Sequence, residues 1–269
     1  MKRPSTDYLH EKTWEEKALE NPLYGVMSHE EFLDSGAEPT EAELKIFYDR
    51  GRDMVSRWIK PWLQETKFES DMRVLEFGCG MGRLTNAIAE GHPSTNVYGI
   101  DISKTMVTHA KKNTVDGCNY DAVGDEGKFP YEDETFDRIY SYAVFQHIST
   151  KSVVENSIRE LARVLKTHGR VKLNFEMVFP PPFQNSMRQD TYAFEDSYWR
   201  YGWKKLAGIP VWGVKTNKTN HWSGIRMGYR QLIEIFHSLN IQIYGVVHEP
   251  DTKGQVWFYG RKMASRNET

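Results

Sequence analysis

The fold of this chain is decided by one stretch with three alternating glycines, Val74-Leu75-Glu76-Phe77-Gly78-Cys79-Gly80-Met81-Gly82-Arg83-Leu84. The apolar residues before Gly78 predict a buried strand, and the pattern after Gly82 predicts a helix. Glycines at such a turn permit a positive φ and allow the backbone to approach a ligand closely. Because the first turn of a helix also offers unpaired backbone N–H groups, the stretch predicts a ligand-binding turn.

Two carboxylates accompany this glycine turn. Glu76 precedes Gly78 by two residues, and Asp101 ends the next predicted strand, 19 residues after Gly82. A carboxylate at the position of Asp101 can accept both hydroxyls of a ribose. The dinucleotide fingerprint G-x-G-x-x-G needs a glycine where Arg83 stands, and a pyrophosphate would fit poorly beside Glu76. The turn therefore disfavours an NAD-dependent dehydrogenase and favours a ligand with a cationic part.

Short apolar strands alternate with helical patterns around the turn. The predicted strands cover residues 72–77, 96–101, 119–123, 137–142, 170–175, 241–247 and 255–260. The predicted helices cover residues 83–90, 103–112, 151–168 and 229–239, with Ser103 as an N-cap and Gly169 at the left-handed position after the third helix. The last two strands are joined by a short turn that contains Gly254, so they must be antiparallel. The alternation predicts an α/β fold, with a parallel sheet and helices on both faces.

Two stretches depart from this alternation. Residues 1–70 are predicted to form an amphipathic helical extension, with a capping box at Thr40 and Glu43 and with Pro61 ending or kinking its last helix. Residues 178–227 contain little periodicity and are rich in aromatic side chains, namely Tyr192, Phe194, Tyr198, Trp199, Tyr201, Trp203, Trp212 and Trp222. We interpret this insertion as an apolar lid over a substrate, with a small satellite core or a dimer contact as the alternatives.

Composition excludes several other classes of protein. The chain has 269 residues, of which 39% are hydrophobic and 27% are charged, as in soluble globular domains. A net charge of −2 gives no overall attraction to nucleic acid or to anionic membranes. Two cysteines, Cys79 and Cys118, are expected to be free thiols in a reducing compartment. With no apolar run near the ~18 residues of a membrane span and no secretory signal, we expect a soluble, cytoplasmic protein.

The glycine turn and its surroundings resemble the class I S-adenosylmethionine-dependent methyltransferases, of the type 11 kind that acts on small molecules. The matching motifs are residues 76–82, 99–103, 124–125 with 129–130, 136–141 with 144–148, and 160–166 with Gly169. The resemblance implies a Rossmann-like, seven-stranded, mostly parallel sheet ordered 3-2-1-4-5-7-6 with an antiparallel last strand. It assigns residues 71–177 and 228–263 to the methyltransferase domain, residues 1–70 to a helical cap and residues 178–227 to a substrate lid.

The resemblance also implies S-adenosylmethionine as the cofactor and S-adenosylhomocysteine as its product. Asp101 would hold the ribose, and the turn would cradle the amino-acid part through Gly78, Cys79, Gly80 and Gly82, with Glu76 facing a cationic group. The remaining implied contacts are Ile102 and Met106 beside adenine, Asp125 at its amino group, and Tyr142 and Ala143 along the methyl group. No metal site is expected, because Cys, His and Asp residues show no ligand spacing.

Three residues are candidates for chemistry on the acceptor. Methyl transfer from a sulfonium is an in-line displacement, so the protein mainly aligns the acceptor, and an oxygen acceptor must also lose a proton. His147 follows the fourth predicted strand and suits proton removal near neutral pH, although it could instead bond a loop carbonyl or pack on the cofactor. His221 lies in the aromatic insertion, with an exposed loop histidine as its alternative, and Glu176 could bind an amine or form a strand-end salt bridge.

Tyr24 and Arg52 could close over the cofactor, but we favour a packing role for Tyr24 and a solvated position for Arg52.

The sequence as a whole predicts methyl transfer to an oxygen or nitrogen of a small molecule by a monomer or homodimer. A nucleic-acid methyltransferase is an alternative, because lysines interleave with tryptophans at Trp203, Lys204, Lys205, Trp212, Lys215 and Lys218. The near-neutral charge argues against it, as does the loop Ser141-Tyr142-Ala143-Val144, which lacks the Asn/Asp-Pro-Pro-aromatic set of enzymes that methylate base amino groups. A catalytically silent binding module is a further alternative, which the intact glycines, Glu76 and Asp101 disfavour.

Overall fold

The structure is a computed structural model that describes residues 6–27, 29–65, 71–93, 95–176, 227–248 and 255–264, with side chains from Thr13 onward. His221 and nearly all of the predicted lid lie outside the described residues. Within the described part of the chain, no helix is long and apolar enough to cross a membrane.

Within the described residues, seven strands form one sheet, close to where the apolar runs predicted them. They are β1 (Arg73–Phe77), β2 (Asn96–Asp101), β3 (Cys118–Ala122), β4 (Phe136–Ser141), β5 (Leu165–Glu176), β6 (Ile241–His248) and β7 (Gln255–Lys262). Their order is β3-β2-β1-β4-β5-β7-β6. Strand β1 is parallel to β2 and β4, β2 is parallel to β3, and β7 is antiparallel to β5 and β6. The predicted Rossmann-like sheet with an antiparallel last strand is therefore confirmed.

Helices fill the connections and the N-terminal region. The α-helices are α1 (Thr6–Glu20), α2 (Pro22–Val26), α3 (Glu41–Met54), α4 (Lys60–Leu63), α5 (Arg83–Gly91), α6 (Lys104–Lys112), α7 (Lys151–Val164) and α8 (Tyr229–Ser238). The predicted caps are present: Thr40 and Glu43 form the capping box of α3, and the Ser103 hydroxyl accepts from Met106 N–H at 3.1 Å.

Pro61 disturbs its helix as predicted. Helix α3 passes into a π turn at Val55–Ile59 before α4 begins, and Lys60 N–H donates to the carbonyl of Val55. A proline has no N–H, and its ring crowds the carbonyl four residues earlier. The wider π turn accommodates this crowding without ending the helical path.

The prediction for the start of β5 is wrong. Helix α7 ends at Val164, β5 begins at the next residue, and the positive φ (68°) belongs to His168 instead of Gly169. Histidine enters the left-handed region more readily than most residues other than glycine. The pairing of β5 with β7 starts only at Arg170, which is where the sequence pattern placed the strand.

The chain divides into two compact units. The N-terminal unit comprises Met1–Ser141 with Arg163–Lys166, and the C-terminal unit comprises Tyr142–Ala162 with Thr167–Thr269. In the N-terminal unit, the first helices share one apolar cluster with the glycine turn and α6, formed by Ala18, Leu23, Phe32, Phe47, Met81 and Met106. The helical extension therefore packs directly on the predicted ligand-binding turn.

The C-terminal unit has an aromatic core on one face of β5. The ring of Phe175 lies 4.3 Å from that of Phe145, 5.4 Å from that of Phe258 and 6.2 Å from that of Phe236, between ring centroids. Because side chains alternate along a strand, the neighbours of Phe175 point to the opposite face of β5. That opposite face carries the polar residues of the strand.

Candidate functional site

The glycine turn adopts a left-handed backbone conformation, which favours glycine. The φ angles of Gly78, Gly80 and Gly82 are 77°, 50° and 79°. A Cβ atom at Gly82 would lie 2.4 Å from the Tyr120 hydroxyl, and one at Gly80 would lie 2.6 Å from Val26 Cγ2. The turn is thus held tightly between β3 and α2, and a side chain at either glycine would displace a neighbour.

Backbone hydrogen bonds tie the turn to the end of β2. Gly78 N–H and Cys79 N–H donate to the carbonyl of Ile100 at 2.8 and 3.1 Å, and Gly80 N–H donates to Asp101 Oδ2 at 2.8 Å. A pyrophosphate would need such N–H groups for itself. Because the protein uses these N–H groups itself, the turn disfavours a dinucleotide, as the arginine at position 83 also does.

Asp101 presents a half-buried carboxylate at the end of β2. Its Oδ1 accepts from Ser103 N–H at 2.9 Å, while Oδ2 accepts from Gly80. Burial raises the pKa of Asp101, although the hydrogen bonds from Ser103 and Gly80 oppose this and the nearby Glu15 adds to it. Each carboxylate oxygen can accept a second hydrogen bond. The arrangement can therefore receive two hydroxyl groups.

Glu15 lies near Asp101 at the carboxyl end of β2, and no sequence pattern pointed to it. Its carboxylate accepts from the Ser103 hydroxyl at 2.7 Å, from Thr105 N–H at 3.2 Å and from the Thr105 hydroxyl. Burial would raise the pKa of Glu15, but the hydrogen bonds from Thr105 and Ser103 lower it overall. The negative charge faces the N-terminus of α6, where it is favoured by the helix dipole. Helix α1 is thereby fixed beside Asp101.

Glu76 is buried below the turn, with 3% of its surface exposed. It accepts a hydrogen bond from the Thr85 hydroxyl on α5, and the Tyr140 hydroxyl of β4 lies beside it. Burial raises the pKa of Glu76 to about 7, while the Thr85 and Tyr140 hydroxyls and the charge of Arg83 lower it. The side chain links β1, α5 and β4, and its predicted role towards a cationic ligand stays a prediction.

The other predicted cofactor contacts of the N-terminal unit differ in exposure. Cys79 is buried, which raises the pKa of its thiol well above the ordinary value and leaves it a small, inert filler. Ile102 is half-buried, and Met106 is buried in the cluster with the N-terminal helices. Asp125 is exposed in a short 3₁₀ turn, Asp125–Gly127, after β3.

Tyr24 and Arg52 occupy the positions that we favour from the sequence. Tyr24 packs partly buried against the apolar cluster of the extension. Arg52 is exposed on α3 and pairs with Glu90 at 3.1 Å and with Asp49. Arg83 itself is buried: its guanidinium lies 3.0 Å from the Met54 sulfur.

The C-terminal unit contains the described candidates for the acceptor side. The Tyr142 ring stacks on Trp257 with centroids 5.5 Å apart and planes 17° apart. Ala143 has a φ of 58°, and its N–H donates to Asn174 Oδ1 at 3.3 Å. His147 is half-buried in a 3₁₀ turn, with its Nε2 3.2 Å from Gln146 Nε2.

Glu176 is the last residue of β5 and pairs with Gln255 of β7. Asn174, two residues earlier on the same face, is not singled out by the sequence. Alternation along β5 could have suggested its face, but its partner Ala143 is 31 residues away. In the described residues, no group of three or more His, Cys, Asp or Glu side chains could hold a metal ion.

Known proteins show similarity over the part of the chain that carries the glycine turn. Residues 74–169 match the family described as a methyltransferase domain. The chain is 29% identical over 150 residues to malonyl-[acyl-carrier protein] O-methyltransferase of Erwinia pyrifoliae, covering 55% of this chain and 52% of that protein. It is 30% identical over 118 residues to the probable tRNA methyltransferase 9B of Mus musculus, covering 42% and 25%. The chain therefore spans about half the length of the first relative and about a quarter of the length of the second.

A solved structure extends the similarity to nearly the whole chain. Phosphoethanolamine N-methyltransferase 1 of Haemonchus contortus, in complex with phosphoethanolamine and S-adenosylhomocysteine, superposes with a TM-score of 0.61 at 12% identity. The superposition covers 98% of this chain and 50% of that one, and at this identity it establishes the fold alone. The match over residues 74–169, the sheet order and the glycine turn together support a methyltransferase of the class I, S-adenosylmethionine-dependent kind.

Proposed function

We propose that this protein transfers a methyl group from S-adenosylmethionine to an oxygen or nitrogen of a small-molecule acceptor. The observation that carries the proposal is the hydrogen bond from Gly80 N–H to Asp101, which fixes a half-buried carboxylate beside the glycine turn. A carboxylate at the carboxyl end of β2 suits the two hydroxyls of a ribose. The match of residues 74–169 to methyltransferase domains supports the same ligand.

The charges of the site fit a cofactor that has a sulfonium and an ammonium group. Glu15, Glu76 and Asp101 are carboxyl groups on elements that meet at the turn, and together they favour a cation over an anion. Burial holds the pKa values of Glu76 and Asp101 above their ordinary range. A cation nearby would favour their ionised forms, so cofactor binding and proton release are expected to be coupled.

Each proposed contact follows from its position. S-adenosylmethionine, when bound, supplies a methyl group activated by its sulfonium. Asp101 would accept from the ribose hydroxyls, and the turn would allow the amino-acid part to approach its backbone closely. The proposed adenine contacts are Ile102, Met106 and Asp125.

The acceptor side rests on the C-terminal unit. Tyr142 and Ala143 would line the methyl group, and His147 would orient an acceptor or take its proton, since histidine titrates near neutral pH. Glu176, at the end of β5, would bind an amine or accept a proton. His221 remains a candidate in the insertion, outside the described residues.

The proposal is tested by following a radioactive methyl group. Purified protein is incubated with methyl-labelled S-adenosylmethionine and, separately, with a low-molecular-weight cell extract and with total tRNA. We expect label in the small-molecule fraction and its loss in Asp101→Ala. The control is Arg57→Ala, which should keep the label, because Arg57 is exposed and pairs only with Asp53 one turn earlier on the same helix among the ion pairs of the described residues. Label in neither fraction contradicts the proposal and supports the silent binding module.

A tRNA acceptor is the second candidate. The similarity to a probable tRNA methyltransferase 9B supports it, as does the lysine and tryptophan pattern of the insertion, which lies outside the described residues. Label in the tRNA fraction would favour this candidate. RNA binding that weakens steeply as salt rises would accompany it, because phosphate contacts release counterions.

A further inference from the structure

The face of β5 opposite its aromatic core carries a row of polar side chains. Lys172, Asn174 and Glu176 alternate along the strand, and they pair with Tyr259, Trp257 and Gln255 of β7. Residues that face each other across an antiparallel pair point to the same side of the sheet. Asn174 and Gln255 are therefore diagonal neighbours on one face, at about 7–8 Å, a separation that amide side chains can bridge.

The loop after β4 folds over this face and is fixed to it at two points. Ala143 N–H donates to Asn174 Oδ1 at 3.3 Å, and Gln255 Nε2 donates to Gln146 Oε1 at 2.7 Å. The first bond determines how the Asn174 amide is oriented, because a backbone N–H needs the oxygen and not the nitrogen of the amide as its partner. The NH₂ group of Asn174 must then point elsewhere.

Among the described residues, two polar atoms of this face have no hydrogen-bond partner. Asn174 is 1% exposed, and its Nδ2 is buried without an acceptor within the described part of the chain. Gln255 Oε1 is likewise buried without a donor there. Leaving a buried donor or acceptor unsatisfied is costly, and one group that both donates and accepts could satisfy the two atoms together.

Aromatic rings border these two atoms. The Trp257 ring pairs across the strands with Asn174, stacks on Tyr142 at 5.5 Å and receives the Lys172 ammonium 4.5 Å from its centroid. These contacts hold Trp257 in place beside the amides. A ligand here would meet a rigid aromatic wall next to one donor and one acceptor.

We propose that Asn174 and Gln255 bind a hydroxyl group of the methyl acceptor, which accepts a hydrogen bond from Asn174 Nδ2 and donates one to Gln255 Oε1. A hydroxyl satisfies both atoms, since it is a donor and an acceptor. A carboxylate would leave Gln255 without a donor, and an ammonium would leave Asn174 without an acceptor. The rings of Tyr142 and Trp257 favour an aromatic carrier for this hydroxyl. The inference rests on the proposed function and narrows its acceptor to hydroxylated compounds.

The test uses three probes that differ in one group: 4-methylphenol, 4-methylaniline and 1,4-dimethylbenzene. Each is titrated into ¹⁵N-labelled full-length protein saturated with S-adenosylhomocysteine, and the side-chain amide signals of Asn174 are identified by their absence in Asn174→Asp. We expect 4-methylphenol to move these signals and to bind roughly tenfold more tightly than 1,4-dimethylbenzene, because the phenol hydroxyl can both donate and accept a hydrogen bond whereas the hydrocarbon can do neither. In Asn174→Asp, which keeps the oxygen that Ala143 needs, this preference should be lost.

Two further variants separate binding from folding. Gln255→Met removes the acceptor without touching Asn174 and should also abolish the preference for the phenol, so the proposal remains testable if Asn174→Asp does not fold. Asn119→Asp makes the same chemical change at an exposed position of β3 and should leave the preference intact.

The proposal is overturned if 4-methylphenol leaves the Asn174 signals unmoved, if 1,4-dimethylbenzene binds as tightly, or if 4-methylaniline binds most tightly. Binding of S-adenosylhomocysteine is recorded in the same samples. Its absence would count against the proposed function, whereas the response of Asn174 to the three probes reports on the hydroxyl site independently.

Discussion

Glu76 is expected to make the stability of the folded protein depend on pH. Its carboxyl group is buried beside Thr85 and Tyr140, and burial raises its pKa to about 7 from an ordinary value of 4.5. The folded protein therefore binds this proton more tightly than the unfolded chain does. The stability that this group contributes is fully present below about pH 4.5 and is lost as the pH rises through about 7.

We expect Glu76→Gln to remove this pH dependence. The amide keeps an oxygen for Thr85 and carries no charge at any pH. The free energy of unfolding of the variant, relative to the wild type, should therefore increase between pH 5 and pH 8, by roughly 3 kcal/mol at most. Urea unfolding at both pH values measures the difference, and Glu90→Gln, an exposed change on α5, is the control. A relative stability that is the same at both pH values would show that Glu76 ionises normally.

At the scale of elements, α5 shows two glycines in opposite situations. Gly82 precedes the helix with a φ of 79° and lies against Tyr120, whereas a Cβ added to Gly91, at the end of the helix, would meet no described atom within 4 Å. The first is required by backbone conformation and close packing. The second only increases the conformational freedom of the unfolded chain.

Alanine at these two positions should therefore have opposite effects. Gly82→Ala is expected to lower the free energy of unfolding by roughly 1–3 kcal/mol, because the left-handed backbone is strained and Tyr120 must move. Gly91→Ala is expected to raise it by roughly 0.5–1 kcal/mol, through a helix residue with less freedom to lose. Chemical denaturation of both variants measures these changes. If both variants changed the free energy of unfolding equally, the backbone conformation and packing at Gly82 would not require glycine.

The N-terminal helices pack on the glycine turn and on the end of β2. Val26 of α2 touches Gly80, the Tyr48 hydroxyl of α3 donates to the Met81 carbonyl at 2.9 Å, and Glu15 of α1 holds Ser103. Each helix thus contacts the turn or its neighbouring strand end. This arrangement explains why the extension shares one apolar cluster with the turn.

Over the whole molecule, local patterns predict most of the fold. Thr40 and Ser103 are recognisable as caps because capping depends on residues three positions apart. The sheet order follows from the alternation of strands and helices together with the resemblance carried by the motif around Gly78. The sequence places the left-handed residue after α7 at Gly169, whereas the structure has it at His168, because both residue types can adopt this conformation.

The contacts that the sequence does not predict join residues far apart in the chain. Glu15 and Ser103 are 88 positions apart, and Asn174 and Ala143 are 31 positions apart. Periodicity identifies the face of a helix or strand that carries such a residue, but it does not identify the partner. For the same reason, the pattern around Glu76 suggests a charge near a ligand without revealing its burial against Thr85 and Tyr140.

We propose that the carboxylate of Asp101, held by the glycine turn, binds S-adenosylmethionine and its product. Calorimetric titration with S-adenosylhomocysteine tests it most directly, using the wild type, Asp101→Ala and the exposed control Asn119→Asp. We expect micromolar binding by the wild type and the control, binding at least roughly tenfold weaker in Asp101→Ala, and no heat with NAD⁺, since two charge-assisted hydrogen bonds are lost in the variant. No heat with S-adenosylhomocysteine, or equal affinity in Asp101→Ala, would contradict the account.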